Sequence, residues 1–489
     1  MTDRNIRYEP QEGGLLLAVI DMQGRSMNVF SAELMDSLER LLDHVDKSPE
    51  VNGVVVTSGK SAFLAGADLE MVNGFTAVLS QGDEAAIAHC SRLSRLYRRL
   101  EKSAKPYVCA LNGLALGGGL ELAMACHERV VGDDARIQLG LPEIKLSLLP
   151  GAGGTQRLPR LIGLDAAMPM LLRGQPVPPA TALKLGLVDE VVPADRLLAA
   201  AYQRVAALSA PKQPWDRTGF TLKPSALDPQ SPDFETKVAA AVGIADEELR
   251  DYPAYRAIIR CVGGGARRPM DEAVLWEATV FVDLIKSPVV SNMIESLFLN
   301  KRKADGLFKP LGALSLRHVA LEGGAEALSE ELKRAKLEIA DLSHADIVLR
   351  GGGAARAPSA KAVALLTGPG DRPSDLGCAV GIYLTPATGH GRAIEIVVES
   401  PAPEAETRAL ALARQLRGTP IVTRGASSFL ARLAAAKGGD AACLAGIATE
   451  AAREGLVQDQ ALADTAAVIA GLFPAFTGGP FRWLRAKAA

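Results

Sequence analysis

At 489 residues the chain is too long for one ordinary hydrophobic core, so two or three domains are expected. Its 48% hydrophobic and 22% charged residues are the balance of a globular protein and exclude a large disordered fraction. A net charge of −2 offers no global attraction for nucleic acid or an anionic membrane.

The first residues, MTDRNIRYEPQEGG, lack the apolar core of a signal peptide, and no apolar run approaches the length that crosses a bilayer. The six cysteines, Cys90, Cys109, Cys126, Cys261, Cys378 and Cys443, show no C-x-x-C spacing for zinc or a dithiol. Reduced thiols, no metal and a cytoplasmic location are the expectation.

From residue 1 to 190 the pattern is α/β. Leu15–Met22, Val51–Gly59 and Tyr107–Gly113 are short apolar runs rich in β-branched residues, read as strands. Between the first two, Leu34, Leu38, Leu41, Leu42 and Val45 recur at helical spacing. The basic stretches RLYRRL (Arg95–Leu100) and NKRK (Asn300–Lys303) read as solvated helix faces. From 191 to 305 strand signals fade, and proline-rich segments separate helical patterns that end in the long run DEAVLWEATVFVDLIKSPVVSNMIESLFLNKRK, read as an extension and linker helix. From 306 to 489 the chain turns rich in alanine and glycine, with strand candidates at ADIVL and AIEIVV.

Three glycine-punctuated turns in the first region lead into helical patterns: FLAGADLEM (Phe63–Met71), ALGGGLELAM (Ala115–Met124) and LLPGAGGTQRLPRLIG (Leu148–Gly163). Glycine lets backbone approach a ligand, and a helix start offers unpaired N–H groups. Glu121 stands directly behind GGG, and Glu143 lies in LGLPEIKL before the third turn. Read alone, Glu121 suits a first-turn helix charge and Glu143 a surface turn. Two carboxyls in one pocket can instead divide labour as base and acid, with glycine-turn N–H groups stabilising an oxyanion. Those parts suit addition of water to a double bond conjugated to a carbonyl.

The three motifs together resemble the enoyl-CoA hydratase (crotonase) superfamily, and most the hydratase half of the bacterial fatty-acid oxidation multifunctional alpha subunit. The resemblance implies a spiral of ββα turns in place of a flat doubly wound sheet, with LKLGLVDEVV (Leu183–Val192) closing the core. It assigns catalysis to Glu121 and Glu143, the oxyanion hole to the N–H groups of Ala67 and Gly118, the helix start facing the thioester to Gly151, and contact with the adenine end of CoA to Ala65 and Leu69. An acyl-CoA substrate, hydration with possible Δ3–Δ2 isomerisation, and no added cofactor follow from it. A non-catalytic acyl-CoA-binding or scaffolding subunit, or another crotonase-type reaction, is the alternative. Nothing supplies His127 with a serine or cysteine partner for a nucleophilic dyad, and it reads as a satisfied core or surface histidine.

In multifunctional relatives the linker leads to a 3-hydroxyacyl-CoA dehydrogenase, which binds NAD. GTPIVTRGASSFLARL (Gly418–Leu433) and GLFPAFTGGPFRWLR (Gly471–Arg485) resemble parts of that frame. Its working parts differ. Where the G-x-G-x-x-G turn belongs, the chain reads VALEGGAEALSEEL (Val319–Leu332), with Glu322 and Glu326 near the expected pyrophosphate. GGGAARAP (Gly351–Pro358) reads as a loop. GIYLTPA (Gly381–Ala387) puts Tyr383 where the family has its histidine, although Glu395 keeps the place of that histidine's carboxylate partner, and His390 is out of register. Residues 306–489 are therefore expected to be a degenerate, shortened dehydrogenase-like region without NAD, serving as a structural part or as a contact for a thiolase or separate dehydrogenase.

Overall fold

The computed structural model describes residues 3–488, apart from 69–70, 72–73, 75–76 and 353–358. The chain forms two compact units, Met1–Val290 and Ser291–Ala489.

In the first unit, strands β1 (Ile6–Gln11), β2 (Leu15–Ile20), β3 (Gly53–Ser58), β4 (Leu64–Ala65), β5 (Tyr107–Leu111), β6 (Ala115–Leu116), β7 (Glu128–Gly132), β8 (Leu139–Gly140) and β9 (Glu190–Val192) make two sheets. The larger runs β1-β2-β3-β5-β7-β9, with only β1 and β2 antiparallel. The smaller is the parallel set β4-β6-β8. Three successive passages, β3–β4, β5–β6 and β7–β8, each give one strand to the large sheet and the next, two residues long, to the small one. This is the expected ββα spiral.

Every residue of β3 and β5 is buried, as continuous apolar runs covered on both faces should be. The helix α1 (Ala32–Lys47) opens on Ser31, whose hydroxyl accepts from Leu34 N, and buries all five of its predicted apolar positions. The helix α2 (Arg92–Glu101) corrects one expectation. Arg98, in RLYRRL, is only 5% exposed and pairs with Glu101, Asp216 and Asp271 instead of facing solvent. Three further helices bear on the site: α3 (Gly118–Ala125), α4 (Gly154–Ile162) and, after the paired-helix segment α5 (Pro253–Gly265), α6 (Met270–Ile285). The long apolar run that contains α6 is not one helix. It breaks at Lys286–Ser287, and a new helix opens on Pro288, whose missing N–H suits a first turn.

The second unit holds a seven-stranded sheet ordered β11-β10-β12-β13-β14-β15-β16. Its strands are β10 (His318–Glu322), β11 (Glu338–Ile339), β12 (Ile347–Arg350), β13 (Ala362–Leu366), β14 (Val380–Leu384), β15 (Ala393–Val398) and β16 (Thr419–Arg424). All neighbours are parallel except β14 and β15. ADIVL and AIEIVV supply β12 and β15 as read from sequence.

Glu395, in the middle of β15, is completely buried. Its carboxylate accepts from Thr423 Oγ1 (2.6 Å), Ser428 Oγ (2.6 Å), Phe429 N (2.8 Å) and Leu430 N (2.8 Å). It thereby ties β15 to β16 and caps the helix α7 (Phe429–Ala435). Burial pushes its pKa up, and the four donors oppose that rise. Replacing it with alanine strands four buried donors, so Glu395→Ala is expected to destabilise the protein by about 3 kcal/mol, read as a lower urea midpoint at unchanged slope. An unshifted midpoint would show that this carboxylate holds nothing together.

Candidate active site

The small parallel sheet assembles the site. The register Leu64↔Ala115 and Ala65↔Leu116 sets the ends of β4 and β6 side by side. The chains stay together beyond the strands, since a Cβ built on Gly117 would lie 3.6 Å from Gly66 Cα. Ala67 and Gly118 follow one residue later on each chain. Phe30 N donates to Gly66 O and Asp68 N to Phe30 O, so the flanking peptides are engaged, while the N–H groups of Ala67 and Gly118 donate to no acceptor among the described residues. Ala65 is partly exposed at the base of this turn, and Leu69 lies outside the described residues.

β8 brings the third component. Gly117 N donates to Gly140 O (2.9 Å), and three residues after Gly140 the chain enters a single helical turn that starts with Glu143. Gly117 has φ +54, and a Cβ there would meet Glu143 Oε1 at 2.7 Å, so only glycine fits both the backbone and the space. Glu143 Oε2 is buried with no hydrogen-bond partner. Burial first, then the charges of Glu121 and Glu277, hold the Glu143 carboxyl far above the ordinary range.

Glu121 projects from the first turn of α3 and is 2% exposed. It does not cap its own helix. Its Oε1 accepts from Ala152 N (2.8 Å) and Gly154 N (2.7 Å), at the start of α4. Burial raises its pKa, whereas those two N–H groups and the Arg157 charge oppose the rise. Gly151, expected to open this helix, precedes its first residue by three, because Gly153 takes a left-handed φ of 96° that delays the helix to Gly154. Gly151 packs on α6, where a Cβ would stand 3.2 Å from Phe281 Cδ2.

Glu277 of α6 was not singled out in the sequence. It is fully buried, and its carboxylate accepts from Gly153 N (2.5 Å), Thr155 N (3.0 Å) and Thr155 Oγ1. The four successive N–H groups of residues 152–155 thus alternate between Glu121 and Glu277. Burial and the Glu121 charge push Glu277 up to about 8. The available signal was a lone acid on the apolar face of WEATVFVDLI. Beneath α4, Arg157 is fully buried and pairs with Glu101 at 2.5 Å. His127 is a satisfied core residue: Nδ1 accepts from Tyr107 N, Nε2 donates to Glu101 O, and burial drops its pKa to about 4.

In the second unit, Glu322 ends β10 and pairs with Arg350 of β12 at 2.9 Å, in register. The turn after β10 leads to a 3-10 turn and a six-residue helix, and Glu326 accepts from Gly324 N (2.7 Å). Gly323 and Gly351 pack backbone to backbone, a Cβ on Gly351 falling 2.5 Å from Gly323 O. Tyr383 stands opposite Glu395 across β14 and β15, but Glu395 already serves α7. His390 is exposed on the following turn. No group of three or more His, Cys, Asp or Glu that could hold a metal occurs among the described residues, and no helix among them is long and apolar enough to cross a membrane.

Residues 13–216 match the family described as enoyl-CoA hydratase/isomerase. The chain is 36% identical over 302 residues to the fatty acid oxidation complex subunit alpha of Shewanella sp. (strain MR-4), covering 60% of this chain and 41% of that protein. Identity to the protein of the same name from Acinetobacter baylyi is 33% over 337 residues, or 67% of this chain and 46% of the other. The chain therefore spans less than half the length of these curated relatives. A crystal structure of enoyl-CoA hydratase from Bacillus anthracis aligns over 61% of this chain and 96% of that one, at 24% identity and a TM-score of 0.38. Through residues 13–216, the stretch that carries Glu121, Glu143, Ala67 and Gly118, the chain is similar to the enoyl-CoA hydratase/isomerase family.

Proposed function

We propose that the protein is an enoyl-CoA hydratase that adds water to a 2-trans-enoyl-CoA and gives a 3-hydroxyacyl-CoA in fatty-acid oxidation. The observation that carries this reading is the unequal setting of two buried carboxyls beside one pair of uncommitted N–H groups. Glu121 is held by two backbone donors that favour its anion, so it is the base that takes a proton from water as the oxygen adds to Cβ. Glu143, with one oxygen buried and unpartnered, favours its protonated form and is the acid that delivers a proton to Cα. The N–H groups of Ala67 and Gly118 take up charge on the thioester oxygen as the enolate develops. The resemblance assigns Gly151 to the thioester, and Ala65 and Leu69 to the adenine end of CoA. Moving a proton between two carbons through Glu143 would give Δ3–Δ2 isomerisation at the same site.

Glu277 is a positioning residue on this reading. It fixes Gly153 and Thr155, and so holds in place the donors that Glu121 needs. Functionally, a core at 1–190 is completed by the extension at 191–305, which carries Glu277. The region at 306–489 takes no NAD. The Glu322–Arg350 pair, the Glu326 cap on Gly324 and Tyr383 in the histidine's place support that reading. The hydroxyacyl product then passes to a separate 3-hydroxyacyl-CoA dehydrogenase or thiolase partner. Six free thiols fit a cytoplasmic setting.

Three outcomes test these assignments. Glu121→Gln and Glu143→Gln should each lower kcat by about 10²–10⁴, followed as loss of enoyl-thioester absorbance, whereas a scaffold would lose nothing. NAD added after hydration should yield no NADH; its formation would restore the dehydrogenase. The third concerns pH. A carboxyl whose pKa rises on folding favours the folded state below its unfolded pKa, and that contribution fades as pH climbs through the folded one. Glu277, raised from 4.5 to about 8, should therefore make thermal stability fall between those values, and Glu121 and Glu143 act with the same sign. Glu277→Gln should flatten the fall, and equal pH slopes in variant and wild type would remove Glu277 from this role.

A further inference from the structure

Three buried arginines, Arg98, Arg157 and Arg160, lie around one buried carboxylate, Glu101. Glu101 serves Arg98 and Arg157, and Asp216 and Asp271 also turn toward Arg98. Arg160 is left over. It is 6% exposed and donates to Gln156 O (2.9 Å), Gly265 O (2.8 Å), Arg268 O (3.2 Å) and the Gln156 side chain, with no carboxylate in ion-pair reach among the described residues. Burial, then the charges of Arg157 and Arg98, pull its pKa down to about 10, although Glu101 and Glu277 act the other way. Arg160 therefore sits where burial and the neighbouring arginines outweigh the pull of Glu101 and Glu277.

That residue borders a cleft of about 330 Å³, also lined by Trp215, Arg217, Arg267, Arg268 and Met270. The three other arginines are likewise without carboxylates among the described residues. Arg217 donates to Lys212 O, Arg267 to Pro229 O and Arg268 to Gly264 O, and the Arg268 guanidinium stacks 4.6 Å from the Trp276 ring. Elsewhere in the unit, arginines such as Arg99, Arg129 and Arg204 do find acidic partners. Trp215 is only 8% exposed, and its indole N–H has no acceptor. Four guanidinium charges without a carboxylate, with N–H donors to spare on Arg217, Arg267 and Arg268, and an unsatisfied buried indole donor around one small cleft suit an oxyanion.

We propose that this cleft binds the phosphate end of a small phosphorylated molecule, at a site apart from Glu121 and Glu143. Planar forks match phosphate oxygens two at a time, which single carbonyl acceptors do not exploit. The volume is at the lower end for small-molecule sites and suits a phosphate ester or pyrophosphate more than a polymer. Arg160 lies six residues beyond Gly154 on α4, about 9 Å along the helix that holds Glu121.

Titration calorimetry of the full chain with inorganic pyrophosphate tests the site. One saturable equivalent should bind, and the double variant Arg217→Ser with Arg267→Ser should weaken it by at least about tenfold. Both side chains are exposed, so an unchanged melting temperature without ligand will report an intact fold. Arg136→Ser, at a side chain 91% exposed elsewhere in the unit, should leave binding as it was. Absence of saturable binding, its retention in the double variant, or an equal loss in Arg136→Ser would each overturn the proposal.

Discussion

Four consecutive backbone N–H groups, those of residues 152–155, are divided between two buried carboxylates on different helices. Glu121 comes from α3 and Glu277 from α6, and each takes alternate members of the set. A helix start has unpaired donors and a positive dipole end, and both needs are met here by acids within the fold. The arrangement fixes where Glu121 points, draws α6 against the turn at Gly151, and leaves Glu143 as the carboxyl without such support. The difference between the two glutamates follows from which of them reaches α4.

The small sheet performs the complementary task. Three two-residue strands bury little surface, but their parallel register sets Ala67, Gly118 and the turn of Glu143 next to one another at the strand ends. Parallel neighbours stand about 4.8 Å apart, which is the spacing two N–H groups need to converge on one oxygen. Glycine at 117 is required twice over, by its positive φ and by the carboxylate packed against it.

Much of this was legible in the sequence where a local rule governs. The apolar runs of β2, β3 and β5 and the periodicity of α1 translate directly into buried elements, and the motif order indicated the spiral. Glu277 was not legible, because its partners lie more than a hundred residues away and a single acid within an apolar helix has no local signature. Arg98 misled for the same reason: two of its three neutralising acids, Asp216 and Asp271, come from distant segments. In the second unit, β10 and β13 are only five residues long, so short apolar runs understate a sheet of seven strands. Glu395 occupies the place that the resemblance gives to a catalytic partner, but its four hydrogen bonds are those of a structural clamp between β15, β16 and α7.

The family match ends at residue 216, while one of the two acids that satisfy α4 stands at residue 277. A fragment cut at the family boundary would carry both Glu121 and Glu143 and still expose two backbone donors beside them, with Arg157 facing one acid fewer. The surroundings of the two glutamates are therefore not contained within the matched stretch of about two hundred residues: the carboxylate that satisfies Gly153 and Thr155 arrives only with α6.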